Sequence, residues 1–74
     1  MNLEEANDYW FKFEPIEGVR FRLNDPVRIK SGEYKGQCGS VVSLKSVEPV
    51  IYLVELGETG RDVDIEESVL EPAE

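Results

Sequence analysis

The sequence predicts a mainly β domain, a small five-stranded barrel with a short α-helix at its N-terminus. The chain has 74 residues, which is enough for one domain and too few for two. From residue 19 onward, short segments of alternating apolar and polar residues recur about every ten positions, as in small barrels and sandwiches. Before residue 19, the apolar residues have helical spacing instead. A closed barrel would also leave this small domain without exposed sheet edges.

The N-terminal segment is predicted to be helical because its apolar residues recur every three or four positions, at Leu3, Ala6, Trp10 and Phe13. Asn2 can cap the helix, and Glu5 follows three residues later as in a capping box. Pro15 predicts that the helix ends by about Glu14. A competing interpretation is a strand with an alternating aromatic set, but we favour the helix; that set is Tyr9, Phe11 and Phe13.

Strands are predicted where apolar residues alternate between turn residues. The alternating segments are 19–23, 27–30, 39–45, 50–56, 61–65 and 69–71; about five of these six are expected to be strands of the barrel, with 69–71 a short closing strand. Segment 50–56 is apolar on both faces, as expected of a central strand. Asn24 and Asp25 precede Pro26 in a predicted turn. In segment 61–65, Val63 and Ile65 are expected to face the core.

The chain carries 8 basic and 16 acidic residues, for a net charge of −8. This excess disfavours indiscriminate binding to nucleic acid or anionic membranes. The charge is uneven, because residues 20–45 carry a net charge of +4 between acidic segments at 1–19 (−4) and 46–74 (−8). The basic middle is either a binding patch or a set of solvated faces attracted to the acidic segments.

The sequence favours neither catalysis nor metal binding. It contains no His, so its lone cysteine, Cys38, lacks the usual base; we expect Cys38 to be a small buried core residue. The acidic run at 62–67 has core spacing at Val63 and Ile65, which indicates a solvated strand face rather than a cation site. We therefore expect no enzyme activity, no cofactor, and no catalytic or metal-binding residue.

The polarity of the chain favours a cytoplasmic location. Residues 1–5 are acidic where a signal peptide would be basic. No apolar run approaches the roughly 20 residues that cross a bilayer. We expect a cytoplasmic monomer with no membrane partner.

The densest cluster of special residues lies at 27–41, where a strand, a glycine-punctuated loop and a second strand are predicted. Gly32, Gly36 and Gly39 would permit a positive φ or a close backbone approach. This segment resembles the KOW motif of NusG-type transcription factors and several large-subunit ribosomal proteins. The family pattern of apolar, glycine and aromatic positions is filled in order by Val27, Ile29, Gly32, Tyr34, Gly36, Gly39 and Val41.

The resemblance covers about residues 21–72 and implies an SH3-like five-stranded barrel whose loops contact RNA or proteins. It divides the chain into residues 1–18, a helix and connection packed on the barrel, and residues 19–74, the barrel itself. Two departures stand out. Asn24 replaces the family's usual glycine before Asp25, although Asn tolerates the same left-handed conformation. The chain also lacks the strong positive charge of the ribosomal members.

Two candidate binding surfaces follow. The first is the loop and basic patch, comprising Arg28, Lys30, Gly32, Tyr34, Lys35, Gly36 and Gly39. Its cations could contact phosphates while Tyr34 stacks on an unpaired base. Alternatively, Arg28 and Lys30 are only the outward positions of a strand, and Tyr34 covers the end of the barrel.

The second candidate surface is aromatic and consists of Tyr9, Trp10 and Phe11. Three consecutive helical residues span about 200°, so at least one of these rings must be partly exposed or packed in another way. The set is either an interface or, with Phe13, a plug for an open barrel end.

The sequence thus predicts a non-enzymatic binding module. We favour docking to a protein surface within a larger assembly, such as the transcription or translation machinery, because the net charge repels RNA. RNA binding through the basic patch is the first alternative. The second is an accessory subunit of another complex.

Overall fold

The computed structural model describes residues 2–73, and its five strands form one antiparallel sheet. Helix α1 comes first, and a short 3-10 helix at Glu67–Val69 precedes the last strand. The elements are α1 (Leu3–Phe11), β1 (Pro26–Ile29), β2 (Cys38–Val47), β3 (Val50–Leu56), β4 (Asp62–Glu66) and β5 (Leu70–Pro72). The strand order is β4-β3-β2-β1-β5. These elements confirm a mainly β chain with five strands and a short N-terminal helix.

Helix α1 begins as its sequence predicts and ends slightly earlier. The Asn2 side-chain oxygen accepts a hydrogen bond from the Glu5 N–H at 2.8 Å, which confirms the N-cap. The helix ends at Phe11 because the backbone turns left-handed at Phe13, whose φ is 60°. The N–H groups of Phe13 and Glu14 then donate back to Trp10 and Tyr9 carbonyls at 3.0 and 2.9 Å, which closes a Schellman motif. No helix within residues 2–73 is long and apolar enough to cross a membrane.

The strand predicted at 19–23 is absent; only an isolated bridge joins Ile16 and Val19. Side chains, rather than a neighbouring strand, accept the hydrogen bonds of the backbone N–H groups at residues 20–22. The N–H of Phe21 donates to a tyrosine hydroxyl, and its carbonyl accepts from the Trp10 indole. The N–H groups of Arg20 and Arg22 donate to carboxylates. The strand predicted from alternation was therefore wrong, because side chains pair with this backbone; two of them, Glu67 and Tyr52, are distant in sequence, and Asp25 is three residues away.

The core lies between one face of the sheet and the N-terminal segment. Ala6 and Trp10 belong to the same buried cluster as the sheet residues Val27, Leu44 and Leu70. Val63 and Ile65 face this cluster, as predicted. A bulge in β2 separates its buried residues Val41 and Leu44 by three positions instead of two.

Cys38 is exposed, contrary to its predicted burial. It begins β2 three residues before the buried Val41. Side chains alternate between the two faces of a strand, so Cys38 points away from the core. The exposure of Cys38 is therefore set by the register of β2 and not by the apolar character of its side chain.

Candidate binding surfaces

The loop between β1 and β2 is closed by backbone hydrogen bonds and shaped by two glycines. Gly32 and Gly36 have φ values of 90° and 89°, which confirms the predicted left-handed positions. The Gly36 N–H donates to the Ile29 carbonyl at 2.8 Å, and the Ile29 N–H donates to the Gln37 carbonyl at 2.9 Å. These bonds hold the loop against β1 and set the direction in which its side chains leave the backbone.

Gly39 serves the packing of β2 against β3. A Cβ atom at this position would lie 2.3 Å from the Glu55 carbonyl oxygen and 2.9 Å from a Val54 methyl carbon. The close backbone approach expected from the sequence is therefore present. Because the atoms that require glycine belong to β3, this motif position has a complete structural explanation without a ligand.

Tyr34 is half-buried and packs against the core cluster. This arrangement matches the interpretation in which the ring covers one end of the core. Part of the ring remains accessible, but its packing limits how fully a base could stack on it. Lys30 and Lys35 are exposed on either side of Tyr34 in the sequence.

Two arginines of the basic segment are paired with carboxylates. Arg28 lies opposite Glu71 in the β1–β5 register, and its guanidinium is 2.6 Å from that carboxylate. Arg20 contacts Glu67 at 3.3 Å and also donates to the Leu70 carbonyl at 3.3 Å. These are the two ion pairs formed among residues 2–73. They reduce the positive charge that the patch can offer to phosphates.

A buried hydrogen-bond chain connects the N-terminal segment to the sheet. The Trp10 indole N–H donates to the Phe21 carbonyl at 2.7 Å, and the Phe21 N–H donates to the Tyr52 hydroxyl at 3.1 Å. The Tyr52 hydroxyl in turn donates to Glu67, which also accepts from the Arg20 N–H at 2.9 Å. Burial, followed by the hydrogen bond to Glu67, raises the pKa of Tyr52 above its ordinary range.

Sequence reasoning missed this chain of contacts. Tyr52 lies in an apolar strand, and Glu67 lies at the end of the acidic run at 62–67. One usable signal was a tyrosine among aliphatic residues, since a buried hydroxyl needs a partner. Nothing local identified that partner, because Glu67 is 15 residues away.

The three consecutive aromatic residues have different environments. Trp10 is only 2% exposed, so it is not available for direct contact with a partner. Tyr9 and Phe11 are 43% and 48% exposed, and Phe13 is 49% exposed. Phe11 packs edge-on against Trp10, with ring centroids 4.9 Å apart. We refer to the three exposed rings, Tyr9, Phe11 and Phe13, collectively as the aromatic surface; Tyr9 and Phe11 are two positions apart in α1, so their side chains leave the helix about 200° apart.

The acidic residues do not form a metal centre in the part of the chain that the structure describes. No group of three or more potential Asp, Glu or Cys ligands within residues 2–73 is arranged to hold an ion. Asp62 and Asp64 lie on the exposed side of β4, as the alternation with Val63 and Ile65 predicted.

Comparison with known protein families and with curated proteins finds no match for this chain.

Proposed function

We propose that this protein is a non-enzymatic binding module that docks onto another protein within a larger assembly, such as the transcription or translation machinery. The observation that carries the proposal is the aromatic surface, on which Tyr9, Phe11 and Phe13 are each exposed by more than two-fifths. Aromatic side chains are enriched at the centres of protein interfaces, where they bury large areas with little loss of side-chain entropy.

The backbone that carries the aromatic surface is fixed by the buried Trp10 and by the Schellman motif at the end of α1. Trp10 anchors α1 through the core and through its hydrogen bond to Phe21. The Schellman motif fixes the backbone at Phe13 in a left-handed conformation, which is costly for a residue other than glycine. A rigid surface loses less conformational entropy on binding than a flexible one, which favours affinity.

Electrostatics favours a protein over RNA as the ligand. Arg20 and Arg28 are already paired with carboxylates. The N-terminal segment that carries the aromatic surface has a net charge of −4, and the whole chain has one of −8. Nucleic-acid binding sites instead concentrate unpaired cations on one face.

We further propose that the sheet of this module belongs to an SH3-like barrel of the KOW type. Three features support it: the glycine and aromatic pattern at 27–41, five antiparallel strands, and the pairing of β1 with both β2 and the last strand, β5. Closure here means packing of β4 and β5 side chains across the shared core, with the outward backbone edge of β4 left unpaired. Nuclear Overhauser contacts between the Val63 or Ile65 and Leu70 side chains are expected, and a flat sheet without them would contradict the barrel.

Peptide selection tests the protein-docking function. A displayed library of random peptides would be selected on the native protein and counter-selected on the folded triple variant Tyr9→Ser, Phe11→Ser and Phe13→Ser. We expect enriched peptides whose affinity falls about tenfold or more on the triple variant, which corresponds to one aromatic anchor. Their binding should be unchanged by Lys30→Gln and Lys35→Gln.

An RNA titration tests the competing hypothesis, in which the basic patch binds RNA. A mixed-sequence single-stranded RNA would be added to the isotopically labelled protein at low and then physiological ionic strength, while amide chemical shifts are recorded. We expect no shifts around Lys30 and Lys35. Shifts there that disappear with salt, together with a failure to select aromatic-dependent peptides, would replace protein docking by RNA binding.

A further inference from the structure

Strand β4 lies at one end of the sheet, so its backbone has a neighbouring strand, β3, on one edge only within residues 2–73. We call the other edge the outward edge of β4. The Leu56 N–H donates to the Arg61 carbonyl at 2.8 Å, and the register continues without a bulge through Val54↔Val63. In such a ladder alternate residues bond to the neighbour, so the backbone groups of Asp62, Asp64 and Glu66 point outward.

The same three residues carry unpaired carboxylates on the exposed face. Asp62, Asp64 and Glu66 are exposed, whereas Val63 and Ile65 are buried between them. The Glu66 carboxylate accepts a hydrogen bond from the Ser68 hydroxyl at 3.0 Å. None of the three forms an ion pair within residues 2–73. Their period of two matches the side-chain repeat of an extended chain, about 6.8 Å.

A fourth carboxylate strengthens the local charge. Glu55 on β3 lies directly opposite Asp62 in the register, and Glu55 is also exposed. Like charges placed directly opposite each other destabilise a strand pair. Cations on a neighbouring strand would relieve this repulsion.

The charge selects among possible occupants of the edge. A second copy of β4 would place carboxylates against carboxylates, and a nucleic acid would be repelled as well. An extended segment with Lys or Arg at alternate positions would pair its cations with Asp62, Asp64 and Glu66. Its backbone could meanwhile bond to their outward N–H and C=O groups.

We propose that the outward edge of β4 binds an extended cationic segment of another protein by strand addition. Main-chain hydrogen bonds supply affinity in this mode, and the facing side chains supply specificity. The site goes beyond the docking function proposed above, because it uses no residue of the aromatic surface and takes a ligand of different chemistry.

A short peptide serves as the probe. It is the acetylated and amidated heptapeptide Thr-Lys-Val-Lys-Val-Lys-Thr, and amide hydrogen exchange of the labelled protein is the measurement. At saturating peptide we expect exchange of the Asp62, Asp64 and Glu66 amides to slow by about tenfold. The Val63 and Ile65 amides already bond to β3, so their exchange should stay unchanged.

Two altered peptides separate strand addition from simple charge attraction. The first carries N-methyl groups on the residues whose amides would face β4, so it keeps the charge and loses the hydrogen-bond donors. The second replaces each Lys by Glu. We expect neither to protect the outward amides. Equal protection by the N-methylated peptide would overturn strand addition.

A charge reversal and its matched control locate the site. Asp64→Lys should weaken binding of the lysine peptide about tenfold, whereas Asp8→Lys, the same change on the exposed side of α1, should leave it nearly unchanged. Equal weakening by both variants would show that only the net charge matters and would overturn the proposal.

Self-association provides a further outcome. The contrary result would be that the lysine peptide fails to bind while Asp64→Asn makes the protein self-associate. In that case the acidic residues only prevent other strands from pairing with this edge, and the proposal is wrong. The triple aromatic variant should still bind the lysine peptide. The two proposals can therefore fail independently.

Discussion

Trp10, Phe21 and Tyr52 join the N-terminal segment to the sheet through hydrogen bonds between side chains and backbone. The indole N–H donates to the Phe21 carbonyl, and the Phe21 N–H donates to the Tyr52 hydroxyl. The rings of Phe21 and Tyr52 also pack edge-on, with centroids 5.7 Å apart. At the scale of single residues, this contact therefore combines apolar burial with fully paired polar groups.

Removing the Tyr52 hydroxyl should be costly. In Tyr52→Phe, the Phe21 N–H and the Glu67 carboxylate both lose a partner, which should lower the free energy of unfolding by about 1–3 kcal/mol. Tyr34→Phe is the matched control, because Tyr34 is only partly buried against the core cluster and loss of its hydroxyl should change stability little. Urea denaturation measures both variants. Equal losses would contradict the proposed role of the hydroxyl.

Stability should fall in alkali because the pKa of Tyr52 is raised in the folded protein. As the pH rises past about 10, the unfolded tyrosine loses its proton while the folded one keeps it. This contribution is fully present below pH 10 and is lost as the pH rises, at up to about 1.4 kcal/mol per pH unit. The free energies of unfolding of the native protein and of Tyr52→Phe should therefore converge as the pH rises. Parallel curves would contradict the shift.

Phe13 occupies a backbone conformation that suits glycine better. Its φ is 60°, and its ring is 49% exposed. Phe13→Gly should therefore be more stable than Phe13→Ala by about 1 kcal/mol, the reverse of the order in a helix interior. Thermal or urea denaturation compares the two variants directly. If the alanine variant is the more stable, the left-handed end of α1 is not present in solution.

At the scale of elements, the β2–β3 hairpin connects the two halves of the sheet. Its register contains two irregularities, between Val41 and Ser43 and between Leu44 and Ser46. Gly39 lets its strand approach β3 closely at the other end of the pairing. The hairpin thus depends on backbone geometry as well as on its buried side chains.

A methyl group at Gly39 should separate these strands. Gly39→Ala places a Cβ atom 2.3 Å from the Glu55 carbonyl oxygen, so we expect a loss of about 2 kcal/mol or more in unfolding free energy. Gly57→Ala is the control at the same end of the hairpin, since its Cβ would lie 3.4 Å from the nearest atom, the Cys38 carbonyl oxygen. Comparable losses in the two variants would show that close packing is not the reason for glycine at 39.

At the scale of the whole molecule, helix and sheet share one core. Ala6 and Trp10 are buried with Val27, Tyr52 and Leu70 in a single cluster. A chain of 74 residues has little stability to distribute among independent units. The helix and the sheet should therefore unfold together.

The single tryptophan makes cooperativity measurable. Trp10 fluorescence reports on the N-terminal segment, and far-ultraviolet circular dichroism reports mainly on the sheet. The two denaturation curves should coincide, as in a two-state transition. A fluorescence transition that precedes the dichroism transition would mean that the helix detaches from an independently folded sheet.

Local patterns anticipated the elements that depend on neighbours in sequence. The Asn2 cap, the left-handed glycines at 32 and 36, and the alternation of Val63 and Ile65 all involve residues a few positions apart. Short-range sterics and hydrogen bonding act in the same way wherever the rest of the chain lies. Such features can be read without knowing the fold.

Tertiary structure decided the features that depend on distant partners. Alternation at 19–23 did not produce a strand, because Glu67, Tyr52 and Trp10 satisfy that backbone instead. In the basic patch, the charge of Arg28 is offset by an ion pair with Glu71, which is 43 residues away in the chain. Pairings across such distances arise only when strands meet in a particular register, and no local spacing encodes that register.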